Sequence, residues 1–333
     1  MSGTLRNQAV RTLQNRAFLA LCLVCTSLSV LLVAVLLVTI VTQGSARLFN
    51  QAAVDAVFSH GELGHIPELI RWSVLTNFAS RRPDDAGLCA PLLGSVWVCL
   101  TCMVFALPLG VGTAVYLEEF ATRTRFSRFV ELNVRNLAGV PSIVYGIIGL
   151  TAFSRMFGLF GNPDGTPIQI GDPDSALSLR LPFGPSVLAG GLTLMLVVLP
   201  IIIIASQEAL RAVPKSLRQA SEALGATRWQ TTRLVTIPAA VSSILTGAIL
   251  ALSRAIGEAA PLLVLGIPVF IANTPSGPMS NFTVLPFQIF NWASRPQVAF
   301  QELAATAIIV LLAVLLTLNA LVIYLRHRLH HAL

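Results

Sequence analysis

Arg254 and Glu258 stand four residues apart in Ser253-Arg-Ala-Ile-Gly-Glu-Ala-Ala-Pro261, and no other charge interrupts residues 241–271. A guanidinium is always protonated and offers a planar fork of donors suited to carboxylates and oxyanions. At helical spacing the carboxylate four residues on falls on the same face. Counted from residue 241, Arg254 lies 13 residues deep, about 20 Å at helical rise. If the run crosses a bilayer, each charge costs about 2.5–3.5 kcal/mol even on the lenient insertion scale, so both must face protein, water or each other. Two readings stay open. Either the two form a structural ion pair, or Arg254 meets an anion in transit while Glu258 holds the guanidinium and tempers its affinity. Arg before Glu is the weaker helical order, which suits an arrangement meant to open.

The other residues with chemistry to offer carry less. Cys22-x-x-Cys25 and Cys99-x-x-Cys102 have ligand-like spacing, but both lie in apolar runs, where free cysteine behaves as a small hydrophobe. The terminal Arg326-His-Arg-Leu-His-His331 is expected to anchor the last run at lipid headgroups rather than to bind metal. Asp164, Asp172 and Asp174 match no EF-hand spacing and belong to a loop of turns. His60 and His65 are too isolated to supply the convergent groups of a membrane enzyme. Nothing resembles a Walker A loop, so ATP hydrolysis belongs to another chain. The expectation is a non-catalytic protein with no metal and no cofactor of its own.

The elements that position Arg254 and Glu258 must be helices in lipid. Hydrophobic residues make up 55% of the 333 and charged residues 11%, outside the range of soluble domains. Six runs reach the roughly 20 residues that a crossing helix needs, near 18–42, 89–117, 137–160, 185–206, 241–271 and 303–325. They are continuous rather than alternating, so the expected class is an all-α polytopic membrane protein. The first run is too long for a signal-peptide core and is expected to stay as a span. Pro108, Pro141, Gly190-Gly191, Pro261 and Pro268 interrupt the runs. Membrane helices tolerate such residues and use small ones for close packing; a pathway lined by broken helices is the alternative, best supported in the fifth run.

Basic residues orient the spans. With the N-terminus in the cytosol, fourteen of the 22 Lys and Arg fall on that side and seven on the other. The positive-inside rule then puts residues 1–17, the 207–240 loop and the 327–333 tail in the cytosol. Segments 43–88, with a short helix at Leu69-Ile-Arg-Trp72, and 161–184, with turns and a hairpin, lie outside. The net charge of +7 reflects this topology, and the partners it implies are membrane lipids, not nucleic acid.

The 207–240 loop is the most telling polar segment. Leu217, Ala220, Ser221 and Leu224 fall on one helical face at spacings of three and four. Gly225 breaks the pattern, and Thr227-Arg-Trp-Gln230 restarts it as a capping box. Pro238 closes the segment. The expectation is a helix–turn–helix lying flat on a membrane face as a docking surface.

Aligned on Gly225, the loop reads Gln219-Ala220-Ser221, Gly225, then Val235-Thr-Ile237-Pro238. It resembles the EAA loop of bacterial ABC-importer permeases, with Gln219 in place of the leading glutamate. Leu137-Ala-Gly-Val-Pro-Ser-Ile-Val-Tyr-Gly146 and Arg254-Ala-Ile-Gly-Glu-Ala-Ala-Pro-Leu-Leu263 are similar to segments of the phosphate-specific transport permeases. The Pro261-Leu-Leu continuation looks like the PstA-type subunit rather than its PstC-type sister. The resemblance is dense from about 133 to 265 and weak before 89.

The resemblance implies the six-span, type I importer permease fold, with a core over 89–326 and cytosolic coupling helices. It implies a half-channel paired with a PstC-type permease on a PstB-type ATPase dimer, where ATP and Mg are used. A PstS-type phosphate-binding protein, periplasmic or lipid-anchored, would deliver substrate. ATPase movement would pass through Leu217, Gln219, Ala220, Ser221, Leu224, Gly225, Val235, Ile237 and Pro238 to the fourth and fifth spans, in a helix-in-groove contact. Lys215, Arg218, Arg228 and Arg233 would flank that contact or face headgroups. Alternatives are a permease for sulfate or molybdate, the sister subunit, or an ion-coupled transporter, which would call on several intramembrane acids and inverted repeats.

Overall fold

The computed structural model describes residues 2–50, 70–122, 124–159, 167–170, 179–268 and 270–330, with side chains described from Gln14 onward except at 179, 325 and 328–330. Asp164, Asp172, Asp174, His60, His65 and His331 lie outside the described residues. Helix α1 spans Ser2–Leu48, running six residues into the segment expected as loop from residue 43. The short helix α2 is Trp72–Thr76, beginning where Leu69-Ile-Arg-Trp72 was expected to be helical; Ile70 instead bridges Phe49. Helix α3, Cys89–Val115, continues through Pro108 and ends in a π turn over Tyr116–Phe120.

The third run departs most from expectation. Residues 137–160 do not form one continuous helix. Helix α4, Arg125–Leu137, meets helix α5, Ser142–Gly149, at a bend of 105°. The cause is Pro141, whose missing N–H and ring bar the preceding residues from the helix. A π turn over Leu150–Ser154 prolongs α5, giving 13 residues or about 20 Å, short of the roughly 30 Å apolar layer. Strands β1, Ile168–Ile170, and β2, Leu179–Leu181, pair antiparallel as the hairpin of the following loop.

Helix α6, Val187–Ala212, starts on Ser186, whose hydroxyl accepts from the Ala189 amide. Helix α7 is Lys215–Ala223 and α8 is Arg228–Thr231. A π turn over Thr232–Thr236 leads directly into α9, Ile237–Gly257, so Pro238 sits inside a continuous helix rather than closing the loop. The π turn and Pro238 occur together where a normal turn would set the proline ring against the carbonyl four residues back. The fifth run is therefore longer at its start than predicted and broken later. It resumes as α10, Ala260–Leu265, ended by left-handed Gly266. Helices α11, Leu285–Ala293, and α12, Val298–His330, complete the chain.

Helices α3 and α6 form the centre, where Val98, Cys102, Ala106, Leu194, Val198 and Ile202 are buried together. Cys99 and Cys102 are core packing. Helix α9 lies on α6, α10 on α5, and α12 on α1, α9 and α11. Among the described residues, Gln14–Leu48, Cys89–Phe120, Val187–Ala212, Arg228–Gly257 and Val298–Tyr324 are long and apolar enough to cross a membrane, with α4–α5 a bent sixth candidate. The chain is a multi-pass membrane protein.

Candidate functional site

Helix α9 ends between the two charges that its sequence had placed on one face. Gly257 is the last helical residue, and Glu258 is extended at ψ 110°. Arg254 lies in the last turn, where the carbonyl end of the helix favours a cation. Its Nε donates to Glu258 Oε1 at 3.1 Å, a single bond rather than a bidentate clasp. The Arg254 side chain is 47% exposed and Glu258 17%.

Glu258 borders a void of about 10 Å³ with Ser95, Cys99, Leu194, Leu262 and Val284. Leu194 is seven residues into α6, about 10 Å along it. The pair therefore sits nearer the end of the bundle away from Gly225 than the count from residue 241 suggested. Arg254 belongs to a stripe of α9, with Ser243, Leu250 and Gly257, that is exposed among the described residues.

The two segments that carry the resemblance pack on each other. A Cβ at Gly146 would stand 2.7 Å from the Pro261 carbonyl oxygen, so only glycine lets α5 approach α10 this closely. Tyr145 donates to the Leu137 carbonyl at 2.7 Å, tying α5 across the bend. One support was missed in the sequence: Ser253 donates to Asn319 Oδ1 at 2.8 Å, joining α9 to α12 beside Arg254. An asparagine in the middle of an apolar run was the available signal.

At the opposite end, α7 closes in a Schellman turn. Ala226 N–H bonds to the Ser221 carbonyl at 3.2 Å and Gly225 N–H to that of Glu222 at 2.9 Å. Gly225 is left-handed at φ +85°, as this motif requires. The predicted capping box forms, with Thr227 N–H to Gln230 Oε1 at 2.9 Å and Gln230 N–H to Thr227 Oγ1 at 3.3 Å. Leu224 is 90% exposed and Leu217 44%; Gln219 and Ala220 are exposed as well. Ser221 instead turns inward to Thr231, 3.0 Å away between hydroxyls. Val235, Ile237 and Pro238 belong to the α8–α9 helix, and Ile237 packs on Ala114, Leu210 and Ala240. Only α7 forms a separate short helix; the second half of the expected helix–turn–helix is the first turn of a helix long enough to cross a membrane.

Arg218 does not flank this surface. Its Nη2 donates to Glu119 Oε1 at 2.8 Å and to the Leu210 carbonyl at 2.7 Å. Beside it, Arg211 holds Glu118 through Nε at 2.9 Å and Nη2 at 2.6 Å, and Gln207 donates to the same carboxylate at 3.0 Å. Arg211 and Arg135 also reach Glu131. This cluster joins the ends of α3, α4, α6 and α7. Sequence reading missed it because nothing in a linear pattern pairs residues 118 and 119 with 211 and 218.

A short exposed helix is thus fastened between two helices long enough to cross a membrane, on a bundle with a broken fifth run. The same fold is found in a bacterial alginate ABC transporter solved with its alginate pentasaccharide-bound periplasmic protein. Its TM-score is 0.54 at 16% identity, over 90% of this chain and 94% of that one. Residues 106–331 match the binding-protein-dependent transport system inner membrane component family, and the chain belongs to it. It is similar to the phosphate transport system permease protein PstA of Yersinia pestis, 30% identical over 242 residues and 72% of each chain. It is also similar to PstA 1 of Mycobacterium tuberculosis (strain ATCC 25618 / H37Rv), 38% identical over 189 residues, 55% of this chain and 53% of that protein. The chain spans roughly half to two thirds of the length of several curated relatives it matches.

Proposed function

We propose that this chain is the PstA-type transmembrane permease subunit of an ATP-driven importer of inorganic phosphate in the bacterial cytoplasmic membrane. The observation that carries the reading is Arg254 on the exposed stripe of α9, held by one bond to Glu258. A half-exposed cation on an apolar surface needs a polar counterpart once lipid or protein surrounds it. A phosphate crossing between this chain and a homologous permease supplies one. Glu258, itself mostly covered, offers the guanidinium a competing partner, so that the anion is bound and then released.

In this reading both termini and α7 are cytosolic. Leu217 and Leu224 seat α7 in a groove of an ATPase dimer, which binds ATP and Mg and does the hydrolysis. A soluble phosphate-binding protein delivers substrate at the other face. The relatives' names support phosphate over sulfate or molybdate.

The test is phosphate uptake by cells carrying Arg254→Gln, with assembly checked by co-purification of the ATPase. Losing a hydrogen bond to a charged group predicts a drop of about ten-fold or more, with Arg254→Lys intermediate. Normal uptake from an assembled Arg254→Gln complex would defeat the proposal. Equal wild-type uptake of sulfate would move the substrate assignment.

A further inference from the structure

Helix α4 divides its surface three ways. Ser127, Val130, Glu131 and Val134 face the bundle, Val134 being buried. Phe126, Phe129, Asn133 and Leu137, spaced by three and four, form a second flank, with the two phenylalanines 69% and 63% exposed. Asn133 turns its amide back on the Phe129 carbonyl at 2.8 Å, so this flank directs little polarity outward. Arg128 and Arg135 lie on the third side, opposite the phenylalanines, with the 54% exposed Leu132 beside them and Arg125 between.

The helix meets α5 at 105°. Since α5 belongs to the membrane bundle, α4 runs close to the plane of the bilayer. The apolar surface continues past the bend into Ile143, Val144 and Ile147 of α5, which are exposed too. Protein on one side, apolar side chains on the next and arginines opposite is the partition of a helix lying in a headgroup layer. Arginine stems can reach from such a position to phosphates at the same depth.

We propose that α4 is a lipid-binding surface, with Phe126, Phe129 and Leu137 in the acyl boundary and Arg125 and Arg128 at anionic phospholipid headgroups. This rests on the membrane bundle and not on the substrate, so it survives a failure of the phosphate reading.

The test uses the assembled transporter, with the photo-crosslinking residue benzoylphenylalanine at position 129 and ATPase co-purification as the check on folding. The complex is irradiated in nanodiscs of phosphatidylcholine alone or mixed with phosphatidylglycerol. Phospholipid adducts are expected, with phosphatidylglycerol enriched roughly five-fold per arginine engaged. Arg125→Gln together with Arg128→Gln is expected to remove that enrichment while the adduct itself persists. A crosslink to another polypeptide, or no lipid adduct, overturns the proposal. Lipid capture without preference for the anionic lipid, or a preference that survives the double substitution, overturns the assignment of the arginines.

Discussion

Gly225 and Arg254 are single positions whose roles rest on different physics. At Gly225 a Cβ would meet no atom within 4 Å, so what a side chain costs is the left-handed backbone alone. Gly225→Ala should therefore loosen the turn by about 1–2 kcal/mol, while Gly225→Asn, a residue that tolerates this conformation, should cost less. Binding-protein-stimulated ATPase activity in proteoliposomes should rank wild type, Asn, Ala. If Asn proves the worse of the two, size and not backbone angle governs the position. Arg254 was legible in the sequence as a lone cation in an apolar run. Its partner was legible as well, but the helix end between them was not, because Gly257 and Pro261 each admit either a continuous or a broken helix.

Among the elements, α7 is fastened at two points to different parts of the bundle. Ser221 meets Thr231 at the foot of the fifth span, and Arg218 meets Glu119 at the end of α3. Movement of α7 should thus reach α3 as well as α6 and α9. The Arg218 and Glu119 side chains are 22% and 13% exposed, so their pairing is shielded from solvent and neither is easily left alone. Arg218→Gln and Glu119→Gln should each lower phosphate transported per ATP hydrolysed, and the double variant should lose less than the two combined. Strict additivity would show that the pair transmits nothing. The bend between α4 and α5 belongs to this scale too: composition alone made 137–160 a span, whereas Pro141 separates α4, which ends at Leu137, from a short, half-exposed α5.

The whole molecule leaves much of its apolar surface uncovered. Along α9 the exposed stripe holds Arg254, and α1 meets α12 mainly near Gly44, Arg47 and Thr306, where Thr306 donates to the Gly44 carbonyl at 3.0 Å and Arg47 to Glu302 at 3.0 Å. Gly44 admits this approach, since a Cβ would lie 2.6 Å from Ile309 Cδ1. Surfaces of this kind are interfaces waiting for lipid or a second chain. Expressed without a homologous permease, the chain should self-associate or be degraded, and co-expression should restore a single species on size-exclusion chromatography. A stable, monodisperse chain on its own would contradict the paired half-channel.

Local chemistry by itself settled a good deal. Long apolar runs must become helices, because lipid offers backbone groups no other partner. Gly225, Thr227 and Gln230 define a turn and a cap within a few residues of chain. The packing of Gly146 on Pro261, the Arg211–Glu118 and Arg218–Glu119 pairs, and the half-exposed setting of Arg254 came only with the tertiary structure. They join residues far apart in the chain, and their pairing depends on how helices rotate and cross, which no one-dimensional pattern of hydropathy and charge encodes.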